Sequence, residues 1–318
     1  MQLQSLRLPF PLRFWWQLKS SLIWQSLLWA GVISLLLFQR LYLLQNAPLF
    51  DYDSVKNLQI IEQVANGNLM QVFHHASPSF YLLYAAVYKL FPNRAILEVF
   101  TILLNLAALL LVAVLYKRPL QIRRHNSLWA LLLLGTSFFQ VASSHYLAIE
   151  SLSLLLFAAI PFLYLQSLQP GQGRKFRILA GLLTALLVSV NYKALLLLPV
   201  LLFFEWRTGR LARRSLWHLA EWLLPVALLF GIFTVLGSLT GSGWENYLKH
   251  FFILILIKDV NPQAELSMLR LDVFFYLRYL ADFETLLIWL GLPVFLFFYF
   301  IKINRPGDAT RLLVYPVV

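Results

Sequence analysis

ILAGLLTALLVSVNYKALLLLPVLLFFEW, residues 178–206, is flanked on both sides by clustered basic residues. Arg174, Lys175 and Arg177 precede it; Arg207, Arg210, Arg213 and Arg214 follow it. Lys and Arg accumulate in short loops on the cytoplasmic side of membrane proteins. In this chain, 17 of the 26 lie in five segments: the N-terminus, 117–124, 174–177, 207–214 and 302–311. If all five face one side, each pair of neighbours is separated by an even number of crossings. The stretch must therefore go out and come back, and its one polar break, Asn191-Tyr192-Lys193, is the apex. Each arm has about 13 residues, or about 20 Å at 1.5 Å per residue, short of a hydrocarbon core about 30 Å thick. Lys193 is then expected below the outer surface, in a wet cavity rather than in lipid.

The composition agrees with this reading. Hydrophobic residues make up 60% of the 318 and charged residues 13%, about half the share usual in soluble domains. Apolar runs at 22–44, 96–116, 128–141, 146–168 (with Pro161 inside), 219–236 and 285–301 join the two arms as about eight spans. The expected fold is all-α, a polytopic transmembrane bundle forming a single domain over 1–318, with both termini cytoplasmic in the cell (inner) membrane. No short alternating segments of the kind that build a barrel occur. The net charge of +12 follows from basic cytoplasmic loops, so nucleic acid is not an expected partner, whereas membrane lipids are. There are no cysteines, which excludes thiolate chemistry and disulfides. The run 22–44 is too long for a signal-peptide core and reads as a retained first span. The last residues, 311–318, look like the opening of another apolar segment, as in a truncated chain.

Two outer loops are large. The first, 45–95, carries Asp51, Asp53 and the adjacent pair His74 and His75 ahead of Pro78. Val55, Leu58, Ile61 and Val64 recur at helical spacing before Asn66-Gly67, a helix-stop signal. Residues 80–91 are apolar but too short to cross. The second loop, 237–284, starts with Gly237, Gly241 and Gly243 and contains an apolar interfacial run at 251–257. The short turn at Ser143-Ser144-His145 is a second hairpin that stops beneath the outer surface, so a depression open to the exterior is expected.

Each candidate residue has a plain structural alternative. Asp53 before Ser-Val-Lys-Asn-Leu is a fair helix N-cap, yet two acids flanking a tyrosine at the mouth of a depression could accept a proton from an attacking hydroxyl or hold a divalent cation. An ammonium such as Lys193 at membrane depth needs an acid, a wet cavity or an anionic substrate group; pairing with Glu150 is its structural alternative. His74, His75 and His145 could meet a phosphate or be ordinary interfacial and loop residues. The 26 Phe, 14 Tyr and 10 Trp are mostly membrane anchors.

The order of these features resembles the integral-membrane glycosyltransferases of the C superfamily, which include protein O-mannosyltransferases and the lipid A aminoarabinose transferase. The resemblance rests on Asp51-Tyr-Asp53-Ser54, Gly67, His75-Ala-Ser-Pro78-Ser-Phe-Tyr81, His145-Tyr146-Leu147-Ala-Ile-Glu150, and the run from Gly181 to Asn191-Tyr192-Lys193. It departs from the family pattern at Ser54, Ser77, His145 and Glu150, where a second acid, a proline, an arginine and an aspartate are usual. It implies a polyprenyl-phosphate-linked sugar as donor, a hydroxyl as acceptor, inversion at the anomeric carbon and a cell-envelope glycan, lipid or protein as the glycosylated product. In these terms Asp53 or Asp51 is the base. Lys193 with His74, His75 or His145 holds the donor phosphate. Glu150 orients the acceptor, Arg270 and Arg278 belong to a lid in the last outer loop, and a divalent metal on Asp51 and Asp53 is an option. The rival readings are a transporter or flippase of lipid-linked sugars and a non-catalytic membrane assembly subunit. A transporter is expected to show paired interrupted helices in two related halves, and only one interrupted stretch is found.

Overall fold

The computed structural model describes residues 22–42, 44, 52–115, 124–167, 173–191, 194, 197, 202 and 215–241, and every element among them is helical. In chain order these are α1 (Leu22–Leu41), α2 (Tyr52–Ala65), a 3-10 helix (Leu69–Ala76), α3 (Pro78–Leu90), α4 (Arg94–Leu115), α5 (Arg124–Thr136), α6 (Phe138–His145), α7 (Glu150–Ser167), α8 (Gly173–Val190) and α9 (Ser215–Leu239). Among the described residues, three helices are long and apolar enough to cross a membrane: α4, α7 and residues Ala220–Leu239 of α9. The return arm of the hairpin, the second outer loop and the final span fall outside the described residues, apart from isolated positions.

The helices pack as a chain of neighbours, α1 on α5, α5 on α4, α4 on α7, α7 on α8 and α8 on α9. The short α6 sits against α4 and α1, while α2, the 3-10 helix and α3 form a cluster of their own. This cluster joins the bundle at three helix ends. Tyr84 of α3 reaches Thr101 near the start of α4 (3.0 Å), Ser79 meets Ser189 near the end of α8 (2.5 Å), and α2 bonds to Leu147 just before α7. An aromatic group fixes α3 in place, with Phe80 and Tyr84 ring centroids 4.4 Å apart and Tyr84 and Phe100 5.2 Å apart. Such pairs add about 0.5–1.5 kcal/mol beyond their buried area.

Local signals explain the boundaries. At the end of α2, Gly67 N–H bonds to Val64 O and Asn68 N–H to Gln63 O, while Gly67 takes φ +96°. This is a Schellman stop, which needs a left-handed residue that glycine supplies without strain. α5 and α6 are separated at Ser137, whose hydroxyl accepts from Gln140 N–H and caps α6, so the short third run is two helices rather than one. α8 is longer than its apolar arm. Its 18 residues begin at Gly173 and take Arg174, Lys175 and Arg177 into the first turns, so the helix reaches about 27 Å although its apolar portion stays short. It ends at Val190, where Asn191 N–H closes on Leu187 O, at the polar break seen in the sequence.

Candidate active site

Asp53 lies in the first turn of α2, which begins at Tyr52; it is therefore inside the helix rather than its N-cap, and it is exposed. A carboxylate is favoured there by the helix dipole. The buried face of α2 is Ser54, Asn57, Ile60, Ile61 and Val64. It is rotated from the apolar stripe expected from sequence, and Val55 is exposed. The rotation has a clear cause: two polar side chains find partners in the interior. Ser54 Oγ accepts from Leu147 N–H at 3.0 Å, and Asn57 Nδ2 donates to Leu147 O at 2.9 Å. Leu147, buried between two helices, thus has both backbone groups satisfied that would otherwise be unpaired.

Asn57 also receives the Tyr81 hydroxyl at 2.6 Å. Tyr81 is buried, and its phenol is pushed well above its ordinary range, first by burial and then by the nearby Asp53 carboxylate. The His74 ring stands edge-on to Tyr81, with centroids 6.2 Å apart. One tyrosine thus brings Asp53, His74 and Asn57 into one neighbourhood. His75 follows in the same 3-10 helix.

Glu150 is the first residue of α7 and is exposed, a second carboxylate at a helix N-terminus. Its charge is felt at Tyr84, whose phenol is raised mainly by burial, lowered by its bond with Thr101 and raised further by Glu150. His145, by contrast, ends α6 facing inward, 9% exposed. Burial, and then the Arg40 guanidinium, hold its pKa below the usual histidine range. Asp51, Lys193, Arg270 and Arg278 lie outside the described residues. Among the described residues no three metal-ligating side chains gather.

Arg40 is the residue that sequence reasoning passed over. It is fully buried, and Nη2 donates to Gly135 O (2.9 Å) and Asn105 Oδ1 (3.3 Å) while Nη1 donates to Leu36 O (3.2 Å). No carboxylate pairs with it among the described residues. Gly135 O belongs to the last turn of α5, where the dipole favours a cation. Asn105 continues the contact to Gln140 (3.2 Å) and Ser143 (3.4 Å), so the group braces the helix that carries His145. The signal was an arginine inside an apolar run, which is itself a flag. Ser54 and Asn57 carry no such signal. Compared with protein-family models, curated proteins and solved structures, the chain matches none.

Proposed function

We propose that this chain is an inverting membrane glycosyltransferase that moves a monosaccharide from a polyprenyl-phosphate donor to a hydroxyl acceptor on the outer face, within a bundle of about eight spans. The observation that carries the reading is the position of Asp53. It is an exposed carboxylate whose charge is felt at Tyr81, the ring against which His74 packs, on a helix whose buried face is bonded to the turn that leads into Glu150. Asp53 takes the proton of the acceptor hydroxyl as that oxygen attacks the anomeric carbon. The bond from that carbon to the phosphate oxygen breaks on the opposite face, and polyprenyl phosphate leaves with the bonding electrons. Charge developing on the leaving phosphate needs a cation. Lys193 is assigned that part, helped by His74, with Glu150 orienting the acceptor.

Asp53→Asn tests this assignment. With the purified chain and a panel of polyprenyl-phosphate sugars, the variant should lose about 10²–10⁴ in kcat, the range for a general base, with Asp51→Asn as comparator. Full transfer by Asp53→Asn ends the base assignment.

A further inference from the structure

We infer that Asn57 is a positioning residue that sets the register of Asp53 against the turn carrying Glu150; this rests on the transferase reading above. Within the turn between α6 and α7, Ala148 N–H bonds to Tyr146 O (2.9 Å) and Ile149 O accepts from Ser153 N–H (2.9 Å), while Ser151 Oγ donates to Ser143 O (3.2 Å). Both backbone groups of Leu147 go instead to α2, one to Ser54 and one to Asn57. Leu147 shares an apolar cluster with Ile60 and Ile61. That burial fixes how closely α2 and the turn approach, but apolar contact is non-directional and leaves sliding and rotation open. The hydrogen bonds remove that freedom.

Asn57 is the joint because its amide works in two directions. Its Nδ2 donates to Leu147 and its Oδ1 accepts from Tyr81, so the turn, α2 and α3 meet at one side chain that is 6% exposed. Asp53 lies four residues back, about one helical turn, and Glu150 three residues beyond Leu147. A small rotation at Asn57 therefore displaces the base relative to the residue that orients the acceptor. Near-attack geometry tolerates little of this, since a shift of about 1 Å can cost about 10²-fold in rate.

The chain has no cysteine, so cysteines placed at Gln59 on α2 and Phe157 on α7, both exposed, can be spin-labelled in the full chain in lipid nanodiscs. The native pair should give one narrow distance by pulsed EPR. Asn57→Ala should broaden it and lower kcat by about 10- to 100-fold with little change in donor KM, the pattern of lost transition-state positioning. Asn57→Asp is nearly isosteric and guards against simple misfolding: it still accepts from Tyr81 but, when ionised, cannot donate to Leu147 O, so it should broaden the distance too. Tyr81→Phe leaves the Asn57–Leu147 bond in place and should keep the distance narrow. Unchanged distances in both Asn57 variants overturn the joint whatever the assay gives, and a broadened distance with native kcat overturns its role in positioning. A chain that transfers no sugar while its labels respond to Asn57 supports the joint and removes the transferase reading alone.

Discussion

The two ends of this bundle are held together by different means. Around α1, α2, α3 and the α6–α7 turn, helices meet through single directional bonds between polar groups: Arg40 to Gly135 and Asn105, Asn57 to Leu147 and Tyr81, Ser79 to Ser189. The seam between α8 and α9 depends on shape. A Cβ on Gly181 would lie 2.6 Å from Trp222 O and 3.0 Å from Trp222 Cα, so the two backbones approach as closely as only glycine allows, the usual device where helices meet in lipid. Its polar contacts gather at the basic end, where Arg174 and Arg177 share Glu221. Shape fixes how near two helices come, whereas directional bonds also fix how they are turned. The end that carries the candidate residues is the one built on direction.

The comparison breaks most sharply at Arg40. Arg40→Ala leaves Gly135 O and Asn105 Oδ1 without their donor and empties the volume of a fully buried side chain. Orphaned buried acceptors cost about 1–3 kcal/mol each, partly offset because a desolvated charge is removed. The expected net loss is on the order of 3 kcal/mol, read as a fall in the unfolding midpoint in detergent micelles. Arg40→Lys keeps the charge but not the planar fork, and should fall between the alanine variant and the native chain. Equal stability for all three would mean that this end, too, is held by shape alone.

Gly181 gives the second-largest effect. Gly181→Ala adds one methyl group, and both atoms it meets are backbone, so no rotamer change can relieve the clash. Separating α8 from α9 should cost about 2 kcal/mol, within the range for overpacking, and the same midpoint measurement detects it. Gly31 is the control, because an added Cβ there meets nothing within 4 Å; Gly31→Ala should be neutral or slightly stabilising, since alanine is the better helix former.

These two sites also show what sequence could and could not convey. The apolar runs at 96–116 and 146–168 lie close to α4 and α7, because an unbroken run of apolar residues is a strong signal by itself. Asn66-Gly67 marked the end of α2 and Asn191 the end of α8 for equally local reasons. The buried face of α2 could not be read this way. Periodicity selects Val55 and Leu58, but the interior takes Ser54 and Asn57 because Leu147, 90 residues away from Asn57, offers them two backbone groups. A hydrophobic pattern carries no record of a distant partner. The break at Ser137 was hidden by apolar residues on either side. Arg40 was visible but was overlooked when basic residues were counted only at the ends of spans.

The smallest effect tests whether direction or mere contact matters where α3 meets α8. Ser189 Oγ donates to Leu186 O at 2.7 Å, so its proton is committed and the Ser79 hydroxyl is the donor in the 2.5 Å contact between them. Ser79→Ala removes that donor but leaves Ser189 its own bond, so no buried donor is orphaned. Interhelical hydrogen bonds of this kind average about 0.6 kcal/mol in membrane proteins, and a double-mutant cycle with Ser189→Ala should return a coupling of about that size. A coupling near zero would mean that α3 is seated on α8 by the packing of Phe80, Tyr81 and Tyr84, all essentially fully buried, and would confine directional locking to the Arg40 and Asn57 joints. A measurable coupling would extend it to α8, the helix that leads into Asn191.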